Sequence, residues 1–238
     1  MSVLSTDAAA VALRLGDDAL ICSHRLCEWS AKAPAIEEDI ALANIALDLL
    51  GQARSLLTYA GATDGTGRSE DDLAYLRDER DWVNCLLVEQ PNGDFAVTIA
   101  RQLFFSAYQM VVYRRLLDSS DATLAAVAGK AVKEVAYHLD HAAGWVVRLG
   151  DGTDESHRRM QAGLDAMWPY TSELFEEDPA LQPDWEALVL PVISEATLSV
   201  PRSTWQPSGG RSGQHSEHFG FLLAEMQHLH RSHPGATW

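Results

Sequence analysis

The sequence has few basic residues and few cysteines. It contains 18 Lys and Arg against 34 Asp and Glu, which gives a formal net charge of −16 at pH 7. Nucleic acids and anionic membranes are bound through clustered Lys and Arg, so this balance disfavours both as partners. The three cysteines, Cys22, Cys27 and Cys85, show no CxxC spacing, and an odd number does not suggest a disulfide framework. We therefore expect a cytoplasmic protein with reduced thiols.

Several segments and motifs with known functions are missing. No run of 18 or more apolar residues predicts a membrane-spanning helix, and no positively charged leader precedes the apolar stretch near the N-terminus. The motifs GxSxG, GxxxxGK[ST] and a GxGxxG that follows a strand are absent as well. The sequence therefore gives no support to an α/β-hydrolase, a P-loop enzyme or a dinucleotide-binding enzyme.

Helical periodicity dominates the chain, and strand-like alternation is nearly absent. Helices are predicted at residues 17–30, 37–60, 71–89, 94–117, 123–149, 155–175 (with a bend at Pro169) and 215–231. Residues 176–214 are predicted to be mostly loop, with a short helix near 190–199. No internal repeat and no long linker occurs. We therefore predict a single all-α domain over residues 1–238.

Two helical hairpins, residues 17–61 and 94–149, resemble the paired hairpins of a ferritin-like four-helix core. The helix between them would form the long crossover. Asp17 and Asp18 are expected in the first turn of the first helix, where the helix dipole favours acidic residues. Gly61 is expected to end the second helix.

Di-iron bundles place a Glu on two helices and a Glu-x-x-His on each of the other two. The second predicted helix offers Asp48 on a polar stripe, but Gly51 stands where the histidine is required. The one Glu-x-x-His in the chain is Glu225-x-x-His228, and no second copy matches it. HSEH at residues 215–218 opens the last helix, where capping and packing explain it more simply than a metal. The ligand set for two metals is therefore incomplete.

The fifth predicted helix carries a second polar stripe. Lys130, Glu134, His138 and His141 share one of its faces, and Tyr137 stands where a ligand histidine would follow Glu134. If the stripes face inward, a cation such as Lys130 would balance the carboxylates, because a buried carboxylate needs a partner. If they face outward, the same residues form ordinary surface pairs four residues apart. Both arrangements stay open.

The candidates for a vestigial site or polar core are thus Asp48, Glu134, His138, His141 and Lys130. No residue is predicted to be catalytic, and none is predicted to bind metal. The chain also has seven tryptophans and several broadly apolar helices. We expect part of this apolar surface to lie at a protein interface.

Long motifs along nearly the whole chain carry a resemblance to a known family. They are LGDDALI (15–21), EEDIALANIALDLLGQAR (37–54), DDLAYLRDER (71–80), VEQPNGDFAVTIARQ (88–102), KEVAYHLDHAAGWVVRLGDGTDESHRRMQ (133–161) and GGRSGQHSEHFGFLLAEMQ (209–227). In these motifs the chain resembles the C subunits of ring 1,2-phenylacetyl-CoA epoxidases, also called phenylacetate-CoA oxygenases.

The resemblance implies a ferritin-like fold and a place in a multicomponent monooxygenase of aerobic phenylacetate catabolism. It also implies that a related catalytic subunit holds the di-iron site, while the C subunit supports it structurally and binds no cofactor. A separate reductase with FAD and an iron–sulfur cluster would supply electrons from NADPH.

Two alternatives belong to other functional classes. The first is a self-sufficient di-iron or di-manganese oxygenase that uses Asp48, Glu134, His138 and His141. The second is a ferritin-like storage or stress protein, which predicts a shell built from many copies of one chain.

Overall fold

The structure, a computed structural model, describes residues 7–236, and every regular element in that range is a helix. The α-helices are α1 (Ala8–Cys27), α2 (Ile36–Thr63), α3 (Glu70–Tyr75), α4 (Leu86–Glu89), α5 (Phe95–Leu116), α6 (Ala122–Gly150), α7 (Asp154–Met167), α8 (Gln182–Glu195) and α9 (Glu217–Ser232). Short 3₁₀ helices lie at Glu79–Asp81, Trp168–Phe175, Pro179–Leu181 and Gly210–Ser212.

The described residues form two compact units. In the unit of residues 7–91 and 209–236, α1 packs along α2, and α9 packs on both α3 and α4. In the unit of residues 92–208, α5 is the central helix and packs against α6, α7 and α8. The single domain over 1–238 stays a prediction.

Helix α1 begins nine residues earlier than predicted. The Asp7 side chain accepts hydrogen bonds from the backbone N–H groups of Ala9 and Ala10, at 3.0 and 3.3 Å, so it caps an alanine-rich first turn that strongly favours helix. The placement of Asp17 and Asp18 in the first turn was therefore wrong. Both lie in the middle of α1, where they are almost fully buried.

The long helix predicted at 71–89 was also wrong. Helix α3 starts with a capping box between Ser69 and Asp72 but ends at Tyr75, and regular α-helix returns only at Leu86. Between them, the backbone N–H groups of Val83 and Cys85 donate to the carboxylates of α1 instead of to helical carbonyls. Tertiary hydrogen bonds thus replace the helical ones at residues 82–85, which run extended after the 3₁₀ helix at Glu79–Asp81.

Gly61 does not end the second helix as predicted, because α2 continues to Thr63. A Cβ atom at Gly61 would overlap the backbone carbonyl of Arg68. The glycine is therefore needed for the close approach of the following loop, and the position lies inside a helix that tolerates it.

The unit of residues 92–208 follows the predicted pattern closely until residue 181. Asp94 caps α5, where the fourth helix was predicted to start, and the helix predicted at 155–175 with a bend at Pro169 is α7 followed by a 3₁₀ helix from Trp168. The predicted loop with a short helix near 190–199 was wrong, since α8 spans Gln182–Glu195. Pro183 fits its first turn, and the buried ring of Trp185 packs against Phe104 and donates to its carbonyl at 2.9 Å. This packing outweighs the helix-breaking tendency of the prolines.

Two helices, α2 and α5, are long and apolar enough to cross a membrane by length and composition alone. In α5, 89% of the apolar window is buried inside the protein, as in the core helix of a globular fold. In α2, only 50% of the window is buried, although its mean hydropathy is slightly higher at 1.3. Helix α2 therefore presents an apolar surface that its own unit does not cover.

Candidate functional site: a buried ionic core

The first buried ion pair joins α1 to the segment after α3. The guanidinium of Arg77 donates two hydrogen bonds to the carboxylate of Asp17, with a distance of 2.9 Å between Nη1 and Oδ2. The Asp17 side chain has no exposed surface, and that of Arg77 is 4% exposed. Arg77 also lies over the ring of Trp82, 4.1 Å from its centroid, and donates to the carbonyl of Asp81. Every polar contact of the carboxylate is thus with an N–H donor, as an ionised carboxylate requires.

The second pair lies next to the first on the same helix. Arg211, in the short 3₁₀ helix before α9, donates to both carboxylate oxygens of Asp18 at 2.9 and 2.8 Å. The backbone N–H of Cys85 donates to Asp18 at 2.8 Å, and Arg211 also donates to the carbonyl of Val83 at 3.0 Å. Asp18 is 1% exposed. This pair therefore links three segments that are far apart in sequence.

The third pair joins the end of α4 to the start of α9. One oxygen of the Glu89 carboxylate contacts Nδ1 of His215 at 2.8 Å and accepts from the Asn84 amide at 3.0 Å. The other oxygen accepts from the backbone N–H of Ser216 at 2.6 Å. Neither the Glu89 nor the His215 side chain has exposed surface. Arg25 of α1 donates to the backbone carbonyl of Glu89, which fixes the end of α4.

The contacts of His215 favour a positive charge on its ring. Its Nδ1 faces the Glu89 carboxylate, and its Nε2 lies 3.1 Å from the carbonyl oxygen of Trp82, so both ring nitrogens have acceptors and must donate. Burial by itself would lower the pKa of His215, but the hydrogen bond and charge of Glu89 and the Trp82 carbonyl outweigh it and raise the pKa above its usual value. The ring also lies against Phe219, with 4.1 Å between centroids.

Burial raises the pKa of the Asp17 carboxyl above its usual value, although the charge of Arg77 opposes this. The cost of burying the charge is therefore the largest influence on this group, and the arginine offsets part of it. Without Arg77, the same carboxylate would be buried with a single backbone N–H donor from Val83.

These three pairs form the buried ionic core, and the sequence reasoning missed it. The core joins residues from four of the motifs that carry the family resemblance, LGDDALI, DDLAYLRDER, VEQPNGDFAVTIARQ and GGRSGQHSEHFGFLLAEMQ. One signal was present: two adjacent aspartates sit between apolar residues in LGDDALI. Because α1 starts at Ala8, the two aspartates lie in the middle of this helix. They must therefore either be buried or interrupt the apolar face of α1.

The side chains of this core are not arranged as ligands of a di-iron centre. The resemblance assigns that centre to a related subunit. Both oxygens of Glu89 are occupied by N–H donors, and both nitrogens of His215 face acceptors. Beside both Asp17 and Asp18, an arginine guanidinium group occupies the position that a metal ion would need. Across residues 7–236, no group of three or more His, Cys, Asp or Glu residues is arranged to hold a metal ion.

The residues singled out from the sequence lie elsewhere. On α6, Lys130 and Glu134 form an ion pair at 3.3 Å, with side chains 72% and 16% exposed. His138 on the same helix is buried at 1% exposure, while His141 is half-buried. Asp48 is half-buried on α2, which belongs to the other unit. The α6 stripe thus runs from solvent at Lys130 to the interior at His138, and a vestigial site built from these residues stays a prediction.

Comparison with known proteins gives a match along the whole chain. The sequence model of the family described as phenylacetic acid catabolic protein matches residues 2–238. The C subunit of the 1,2-phenylacetyl-CoA epoxidase of Escherichia coli (strain K12) is 49% identical over 244 residues, which cover 96% of this chain and 98% of that protein.

Proposed function

The chain belongs to the phenylacetic acid catabolic protein family, and from this membership we propose that it is the C subunit of a phenylacetyl-CoA epoxidase. In this role it does not catalyse ring epoxidation itself. It supports and positions the catalytic di-iron subunit of the complex. The all-α, ferritin-like fold class expected from the sequence is confirmed, since the described elements are helical and the family is ferritin-like.

One observation carries the structural role: each carboxylate of the buried ionic core is balanced by a cation of the chain itself. Asp17 is paired with Arg77, Asp18 with Arg211 and Glu89 with His215. Breaking a buried pair by removing one partner is strongly destabilising, so such a core fixes the relative positions of its helices and loops. A core of this kind suits a rigid supporting subunit. The ion pairs also leave these carboxylates no open position for coordinating a metal.

The same proposal assigns the cofactors and the compartment. Iron would be held by the catalytic subunit, and FAD and an iron–sulfur cluster by the reductase, while this chain binds none of them. The cytoplasm is the proposed compartment, supported by three cysteines that are all free thiols.

Reconstitution of the complex tests this proposal. The chain is purified alone and together with the other epoxidase subunits, and phenylacetyl-CoA epoxidation is assayed with and without it. We expect stable co-purification, full activity only when the chain is present, and no stoichiometric metal on the chain alone. Near-stoichiometric iron or manganese on the isolated chain, with oxygenase activity, would favour the self-sufficient oxygenase that uses Asp48, Glu134, His138 and His141.

A further inference from the structure

Helix α2 carries an uncovered apolar seam. Ile36, Ile40, Leu47 and Leu50 are 77%, 58%, 64% and 37% exposed, and Ala43 between them is exposed too. Their spacing of four, three, four and three residues places all five on one face of the helix, over about 21 Å of its length. Helices that pack along one another show this repeat. The seam lies on the face of α2 opposite to the buried residues of the same helix.

A groove opens beside the C-terminal half of this seam. It has a volume of about 320 Å³, and Ala43, Leu47 and Leu50 of α2 line one side while Leu26, Cys27 and Trp29 line the other. The groove is therefore mostly apolar and wide enough for a bulky side chain. Together with the seam it leaves on the order of a few hundred Å² of contiguous apolar surface, which is typical of a binding site.

The charges beside the seam identify the kind of partner. Glu37, Glu38 and Asp39 occupy the first turn of α2. An antiparallel second copy centred on Ala43 would bring Glu37 of one chain close to Asp48 of the other, and a parallel copy would bring Glu37 of one chain close to Asp39 of the other. Both arrangements place like charges together between two chains of net charge −16, and an anionic lipid surface would be repelled in the same way. The complementary occupant is a different protein with basic residues at this end.

Resting on the proposed function, we propose that the α2 seam is where this chain docks a helix of another epoxidase subunit. That helix carries apolar residues at three- and four-residue spacing. It places Lys or Arg close to Glu37 and Asp39, which flank the seam, and inserts one bulky apolar side chain into the groove. A standard interface covers about 800 Å² on each partner, so the seam forms its central apolar part and not the whole contact.

Cys27 provides a probe for this docking within the native sequence. It is an exposed free thiol in the wall of the groove, whereas Cys22 and Cys85 are buried. The isolated chain and the reconstituted complex are treated with a maleimide at the same pH, and modification is located by mass spectrometry. We expect Cys27 to react at least tenfold more slowly in the complex. Equal rates in the isolated chain and the complex would overturn the proposal.

A matched pair of variants completes the test. Leu47→Glu places a charge in the seam, whereas Leu229→Glu makes the same change on α9, where the leucine is similarly exposed at 55%. We expect Leu47→Glu to weaken binding of the other subunits at least tenfold at an unchanged melting temperature, and Leu229→Glu to have little effect. Glu37→Lys should slow association with the basic partner and reduce its salt dependence.

The outcomes separate this inference from the proposed function. A wild-type chain that does not bind the other subunits overturns both. Wild-type binding that Leu47→Glu leaves intact overturns the docking surface alone. Protection of Cys27 that rises with the concentration of the isolated chain would show a second copy on the seam, and binding to anionic phosphatidylglycerol vesicles would show a lipid surface. Either result contradicts the proposed occupant.

Discussion

The Asp17–Arg77 pair is an almost fully buried ion pair, so the stability of the fold should depend on it. In Arg77→Met, the methionine retains much of the apolar stem but removes the guanidinium that donates to both oxygens of Asp17 and lies over Trp82. The carboxylate would then keep one donor, the backbone N–H of Val83, in a site with no exposed side-chain surface. Removing one partner of such a pair costs about 3–5 kcal/mol of unfolding free energy.

Urea denaturation, followed by tryptophan fluorescence and far-UV circular dichroism, measures this loss by linear extrapolation. Asp17→Asn should also be destabilising because it leaves the Arg77 charge buried and unbalanced. The double variant should lose less unfolding free energy than the sum of the two single variants, with a coupling free energy of about 0.5–3 kcal/mol. Arg158→Met serves as the matched control, since its partner Glu155 is exposed and the pair lies in solvent.

Two results would refute this reasoning. A loss below about 1 kcal/mol in Arg77→Met would match a surface ion pair and not a buried one. Strict additivity of the two single variants would show that Asp17 and Arg77 do not interact in solution, whatever the cost of each change.

Three further predictions concern pH, helix packing and the α6 stripe. Because the folded pKa of His215 is raised, its contribution is fully present below the unfolded value of about 6.5 and is lost as the pH rises through the folded value. The wild-type melting temperature should therefore fall through this range, and His215→Gln, which cannot be protonated opposite Glu89, should lack that fall; parallel curves would contradict the charged histidine. Gly163→Ala should lower the unfolding free energy by about 1–3 kcal/mol, because its Cβ would lie 2.8 Å from a carbonyl oxygen of α5. Gly144→Ala, whose Cβ would have nothing within 4 Å, should instead stabilise α6 by about 0.5–1 kcal/mol. Denaturation midpoints measure both changes. Glu134→Ala breaks a pair whose lysine is 72% exposed, so it should cost no more than about 1 kcal/mol; a loss of several kcal/mol would favour an inward polar core.

The family and its place in phenylacetate catabolism follow from long sequence motifs, and the comparisons confirm both. The idea that buried carboxylates would be balanced by cations of the chain was sound, but it was applied to Glu134 and Asp48. The structure shows that arrangement at Asp17, Asp18 and Glu89. The partners are 60, 193 and 126 residues away in the sequence, and no local pattern reports such pairings.

The sequence by itself determined that the protein is helical and where most of the long helices lie. Hydrophobic period, capping residues and proline act within one or two turns, so the roles of Asp94 at the start of α5 and of Pro169 just after α7 can be predicted from the local sequence. Only the tertiary structure decided that residues 82–85 run extended, because the N–H groups of Val83 and Cys85 bond carboxylates on a distant helix. It also decided which apolar face of α2 is buried and which is left as a seam. Periodicity gives the faces of a helix, but their burial depends on which other elements pack against them.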